Sequence, residues 1–236
     1  MKLIILLLAF HILPSNMVIS QDTVVVYFDK DWNEISNKDV AVYYRNAYID
    51  SNDKWLVNDY FMSSQMQMSG TYKSKKLKVR DGNFTYYYEN GVKKSEGCYF
   101  KDKNEGEWIY WHDCGEKMAQ GKYLNDKKAG IWNYWDTNGQ LKIVETYFNG
   151  QIISVIGFFE NGGKKFQGNY VNGLMQNEWT YWNADGRVTL KGNYYSGKKV
   201  GEWIRYFPEG EMRMLYKNNV LQGEKLGGIV INEQNN

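Results

Sequence analysis

The sequence predicts an all-β protein: an elongated, single-layer antiparallel meander of stacked β-hairpins with about 24 residues per repeat. Three observations carry this. Aromatic residues make up 17% of the chain and glycines number 23, against only two prolines, Pro14 and Pro208. That combination suits aromatic strands joined by tight turns, and argues against a disordered or linker-rich chain. The residues Phe84, Trp108, Trp132, Ile156, Trp179 and Trp203 recur every 24 residues, with a single step of 23. No segment holds the i, i+3, i+4, i+7 apolar stripe of a helix.

Further ladders keep the same period. Glycines 91, 115, 139, 163, 186 and 210 follow the aromatic position by seven residues. Tyr99, Tyr123, Tyr147, Tyr170 and Tyr194 precede it by nine, with Tyr72 set further back. Two residues before those tyrosines stand Gly70, Gly97, Gly121, Gly168 and Gly192, with Glu145 in the one unit that departs. Repetition at a fixed period of this length marks an array whose units are stable only through their neighbours.

Within one unit, Gly121 to Trp135 reads as two aromatic segments around a polar loop ending at Gly130, a hairpin with a longer connection. If Tyr123 pairs with Trp132, Gly121 faces Tyr134, Gly97 faces Tyr110 and Gly168 faces Tyr181. A tyrosine ring would then cover the backbone its glycine leaves bare. Alternation puts Trp132 and Tyr134 on one face, Ile131 and Trp135 on the other.

Four regions follow. Residues 1–20 read as an export signal, with Lys2 before an apolar run from Leu3 to Phe10, Pro14 after it, and cleavage expected after Ser20. Residues 21–69 read as an amino-terminal β cap with strands at Thr23 to Phe28, Val40 to Arg45 and Trp55 to Met62. Residues 70–226 form the repeat array, and 227–236 a polar tail. The apolar run is too short to span a bilayer, and no cysteine lies near the cleavage site to take a lipid, so a membrane anchor is not expected after signal removal.

Without Lys2 the chain has 28 basic residues against 27 acidic ones. That balance gives no steering toward nucleic acid or anionic lipid. Only His112 remains as a histidine beyond the signal, so neither a His-based metal site nor a His-assisted nucleophile is expected, and no cofactor is implied. Cys98 and Cys114 would meet an oxidising compartment; a bridge and two free thiols both stay open. Glu107, Glu178 and Glu202 precede three of the tryptophans and could suggest a carboxylate pair for glycoside hydrolysis. Their structural period makes solvated or lysine-paired positions the stronger reading, and an enzyme is not expected.

The candidate binding face is Trp108, Tyr110, Trp132, Tyr134, Trp179, Tyr181 and Trp203, whose rings could stack on a protein partner or on a glycan. The alternative use of the same rings is to hold the sheet together. A single-layer sheet leaves one aromatic face partly exposed, so a protein partner is the first expectation, a carbohydrate the second, and self-association stays open.

The series Gly-x-Tyr, Lys-Lys-x-Gly-x-Trp-x-Tyr-Trp and Asn-Gly, best carried by residues 127–139 and 198–210, resembles the bacterial variant of the MORN repeat over about residues 70 to 223. Similar arrays are labelled YwqK-like antitoxins, which implies a non-enzymatic binding protein, although an exported array departs from an antitoxin acting inside the cell. The segments Tyr27-Phe28-Asp29-Lys30-Asp31-Trp32 and Ala41-Val42-Tyr43-Tyr44-Arg45 look like the region preceding such repeats in Bacteroidota envelope proteins. Some of those relatives continue into a TonB-type domain, which is not present in this sequence.

Overall fold

A computed structural model describes residues 24–49 and 54–227. The expected signal and its cleavage site, and nearly all of the polar tail, lie outside the described residues.

The strands are β1 (Val24–Phe28), β2 (Glu34–Ile35), β3 (Tyr43–Ile49), β4 (Trp55–Phe61), β5 (Met66–Tyr72), β6 (Arg80–Tyr87), β7 (Lys93–Phe100), β8 (Lys103–Trp111) and β9 (Lys117–Leu124). They continue as β10 (Lys127–Trp135), β11 (Leu141–Phe148), β12 (Gln151–Phe158), β13 (Lys164–Val171), β14 (Leu174–Trp182), β15 (Val188–Tyr195), β16 (Lys198–Phe207), β17 (Gly210–Lys217) and β18 (Val220–Gly227). All belong to one antiparallel sheet. From β3 onward each strand pairs with the next in sequence, while β1 pairs with both β3 and β2. The cap differs from expectation: Lys38–Val40 is a short 3-10 turn, capped by the Asn37 side chain on the Asp39 amide, and the strand after it starts at Tyr43. In addition, β2 and the start of β5 are strands not expected from the sequence.

The hairpin connections are shorter than the sequence suggests. Asn125 and Asp126 form a two-residue turn between Leu124 and Lys127, both with positive φ. The same two-residue turn recurs at Asn149-Gly150, Asn172-Gly173 and Ser196-Gly197. Positive φ at both centre residues matches the right-handed twist of the flanking strands, which is why Asn, Asp and Gly dominate there. The chain that looked like loop, Lys127 to Gly130, is already strand.

A bulge then shifts the pairing, because Ala129 faces Lys122 but Asn133 faces Gln120. The bulge holds a left-handed residue two positions before each tryptophan: Gly106 (φ 70°), Gly130 (φ 64°), Asn177 (φ 60°) and Gly201 (φ 66°). This extra length corrects the expected pairing. Tyr123 faces Lys128, and Tyr134 faces Ala119 instead of Gly121. Likewise Tyr110 faces Ser95 and Tyr181 faces Phe166, so Gly97 and Gly168 are not under tyrosines.

The tryptophan takes the glycine. A Cβ at Gly121 would stand 2.3 Å from Cδ2 of Trp132, and Gly97, Gly168 and Gly192 stand equally close under Trp108, Trp179 and Trp203. Each indole lies flat on bare backbone and its Nε1–H donates one residue further on, from Trp108 to Cys98 O (3.2 Å), Trp132 to Lys122 O (3.1 Å), Trp179 to Asn169 O (3.2 Å) and Trp203 to Asn193 O (3.1 Å). Only glycine lets the ring approach the strand this closely. Phe84 covers Gly70 the same way. The tyrosine column stands edge-on beside these rings, Tyr123 at 5.0 Å and 77° from Trp132, Tyr194 at 5.0 Å and 82° from Trp203. Edge-to-face contacts of this kind add to area burial.

The cap is fastened by a different device. Arg45 grips Asp59 through two hydrogen bonds of 2.7 and 2.8 Å on adjacent strands β3 and β4. Asp59 is fully buried. Burial pushes the Asp59 carboxyl up, opposed by the Arg45 guanidinium.

Candidate functional site

One face of the sheet carries the ladder tryptophans and the column tyrosines. The four expected ladder tryptophans Trp108, Trp132, Trp179 and Trp203 are only 0–3% exposed. They are buried although the sheet has a single layer, because each ring has glycine backbone beneath it and neighbouring side chains above it. Lys128 Nζ sits 4.4 Å from the Trp132 ring and 5.1 Å from that of Tyr147; Lys199 repeats this at 4.4 Å from Trp203 and 5.1 Å from Tyr216. Burial lowers the pKa of both lysines. The tyrosines of the expected site, Tyr110, Tyr134 and Tyr181, are half-buried. Tyr110 Oη donates to Tyr123 Oη at 3.4 Å, and Lys128 Nζ donates to Tyr134 Oη at 2.6 Å. The expected binding face is therefore brought together on one surface, but its tryptophans are inaccessible to a ligand.

The departing unit is rebuilt around its substitution. Val155 faces Glu145 and is buried, while Ile156 faces Val144 and is half-buried. Val155 occupies the tryptophan position, so the alignment on Ile156 is off by one. The cause is a shorter bulge, with Thr146 facing Ser154 and Tyr147 facing Ile152, and no left-handed residue in β12. The loop glycine moves accordingly: Gly162 takes positive φ (80°), in place of Gly163. Glu145, which stands where the other units have glycine, faces Val155 and accepts from Tyr147 Oη at 2.6 Å. Burial first, then this carboxylate, raises the Tyr147 phenol to about 12.

The remaining chemical candidates have ordinary partners. His112 Nε2 lies 3.1 Å from Trp135 O, and Tyr88 Oη donates to Trp111 O at 2.8 Å, so each loop reaches the backbone of the next repeat. Cys98 and Cys114 are free thiols. Gln120 donates to Glu107, Thr180 to Glu178, and Arg213 pairs with Glu202 at 3.0 Å. Among the described residues no group of three His, Cys, Asp or Glu could hold a metal ion, and no helix is long and apolar enough to cross a membrane.

The opposite face holds what the sequence reading passed over. The residue after each column tyrosine points away from the aromatic face: Phe100, Leu124, Phe148, Val171 and Tyr195, all 52–67% exposed. Their cross-strand partners are Lys103, Lys127, Gln151, Leu174 and Lys198. The signal was present, since a large apolar or aromatic residue follows the tyrosine in five consecutive units where water would favour a polar one. At the other margin of this face, Trp111, Trp135 and Trp182 are half-buried under Lys93, Lys117 and Lys164 at 5.4–5.7 Å.

No curated protein matches the chain. Among solved structures, the crystal structure of TcdB2-TccC3 without hypervariable C-terminal region is similar over 84% of this chain and 12% of that one, at 11% identity and a TM-score of 0.24. This chain thus spans a small part of that protein's length, and so loose a superposition supports no argument. Residues 80–102 and 128–149 match the MORN repeat variant. Both segments run from one strand through its wide loop into the next and reach the two-residue turn that follows, and strand-to-next-strand antiparallel pairing continues from β6 to β17: the chain is an all-β meander, two of whose repeats match the MORN repeat variant.

Proposed function

We propose that this protein is a non-enzymatic, exported scaffold that binds a protein partner through the outer face of its sheet, at the periplasm or cell surface. One observation supports the reading above the rest. Phe100, Leu124, Phe148, Val171 and Tyr195 form an exposed apolar row on alternate strands from β7 to β15, with Lys103, Lys127, Gln151 and Leu174 between them. Extended exposed apolar surface marks interaction sites, and nothing in the packing of a single-layer sheet requires it. The tryptophans are consumed by the fold, which removes the ring faces that a glycan reading would use.

The roles of the two faces are separable. A Phe148→Ser, Tyr195→Ser double variant should keep the fold, as followed by circular dichroism and melting temperature, and lose a partner that the unaltered protein retains from a membrane and periplasmic extract. Equal retention by both, or strong binding to a glycan array with no retained protein, would overturn the proposal. The antitoxin-like alternative predicts a toxin as the retained partner.

A further inference from the structure

The exposed line has a chemistry and a spacing, and both select a partner. Its middle is apolar: Phe148, Val171, Leu174 and Tyr195, with Gln151 among them. Its ends are basic, with Lys103 and Lys127 on one side and Lys198 and Lys217 on the other, all exposed. Among the described residues none of these four lysines has a carboxylate partner, while the acidic groups of the same margin are engaged. Asp102 pairs with Arg80, Asp126 accepts from the Asn104 amide at 2.7 Å, and Glu105 accepts from the Asn125 amide at 2.9 Å. The line therefore offers apolar area with unopposed positive charge at both ends.

The spacing decides the partner's conformation. With the intervening Lys103, Lys127, Gln151 and Leu174 counted, neighbouring side chains along the line belong to successive strands about 4.8 Å apart. Phe148, Val171 and Tyr195 stand about 9.6 Å apart, close to the roughly 10.5 Å from i to i+7 of a helix. A helix advances about 4.5 Å from i to i+3 and about 6 Å from i to i+4, so its apolar seam keeps step with the strands. An extended chain presents same-face residues about 6.8 Å apart and falls out of phase within two contacts. A flat anionic bilayer fits less well, because Glu107, Glu178 and Glu202 are exposed on the same face just inside the line.

We infer that the line from Phe100 to Lys198 is the docking site for an amphipathic helix of a partner protein, with an apolar seam over Phe148, Val171 and Tyr195 and acidic residues facing Lys103, Lys127 and Lys198. The inference rests on the scaffold reading above and adds the form and charge of the bound segment.

A photo-reactive benzophenone side chain placed at position 148, and separately at 195, in the full-length protein made by its natural producing cells tests it. Residues joined from one position should lie three, four or seven apart on one partner segment, which should carry Asp or Glu at its flanks. Those joined from 148 and from 195 should be separated by about 13 residues, since the two positions stand four strands or about 19 Å apart. Charge reversal by Lys103→Glu, Lys127→Glu and Lys198→Glu together should lower the adduct yield roughly fivefold or more. Joined residues that alternate as in an extended strand, adducts with lipid, or a yield indifferent to charge reversal would each overturn the helix. If folded protein is recovered with no adduct at either position, the scaffold reading itself fails.

Discussion

Trp132 lies flat against Gly121 on the neighbouring strand, with its indole N–H bonded to the carbonyl of Lys122. This contact explains why glycine and tryptophan recur together, since the ring needs a strand without a side chain and the bare strand needs a cover. Gly121→Ala puts a methyl group into the indole and should destabilise the protein by about 3 kcal/mol, within the range for overpacked cores. Gly130→Asn should cost less than about 1 kcal/mol, because nothing lies near that position and Asn177 already takes the same left-handed conformation. Urea unfolding of the two variants measures the difference, and equal losses would contradict the distinction between a glycine needed for space and one needed for φ.

Trp132→Ala removes a ring that is 1% exposed together with its hydrogen bond. A loss of about 3–5 kcal/mol is expected from the transfer and cavity terms. Because repeats couple to their neighbours, the unfolding transition should broaden as well as shift, with one half of the array melting before the other. A single sharp transition at reduced midpoint would show coupling stronger than nearest-neighbour packing supplies.

Much of the fold was legible in the chain, and the part that was not has a physical reason. The period, the antiparallel meander and the two faces follow from residue spacing alone. The pairing of Tyr134 with Gly121 did not survive, because a bulge adds chain between the turn and the tryptophan, and a bulge is invisible until φ at Gly130 is known. The same blindness put Ile156 where Val155 stands. The candidate site was half legible: its residues do share a face, but the tryptophan rings are covered because each lies on a cross-strand glycine, and that contact depends on the bulge that sets the register. The exposed line is legible only as a position, the residue after each column tyrosine, because its side chains vary in type from Phe to Val and their exposure depends on the fold.

Alkaline titration offers a different view of the aromatic face. Burial raises the phenols of Tyr99, Tyr110, Tyr134, Tyr147 and Tyr181, that of Tyr147 to about 12. A raised native value means the folded state keeps protons that the unfolded chain releases near pH 10. Stability from these groups is full below pH 10 and is lost as pH rises toward 12. Phenolate absorbance at 295 nm should therefore grow in step with loss of the β-sheet signal above pH 10; a complete titration near 10 with the sheet intact would refute the burial of these rings.

Asp59 and Arg45 test the cap. Asp59→Ala leaves the guanidinium buried without its carboxylate and should cost about 3–5 kcal/mol. Replacing both, as Asp59→Leu with Arg45→Met, should recover most of that loss, since a packed apolar pair can match a buried ion pair. A double variant as unstable as the single one would show that the pair fixes strand register in a way packing does not replace. Amide exchange in β3 and β4 follows it directly.

The central claim is that four tryptophans belong to the fold through one repeated contact. Hydrogen exchange at the indole nitrogens of the ¹⁵N-labelled protein measures it. Trp108, Trp132, Trp179 and Trp203, each bonded to a carbonyl and shielded, should exchange far more slowly than Trp111, Trp135 and Trp182 on the opposite face. Equal, fast exchange at all seven would mean that the rings face water and that the account of this sheet is wrong.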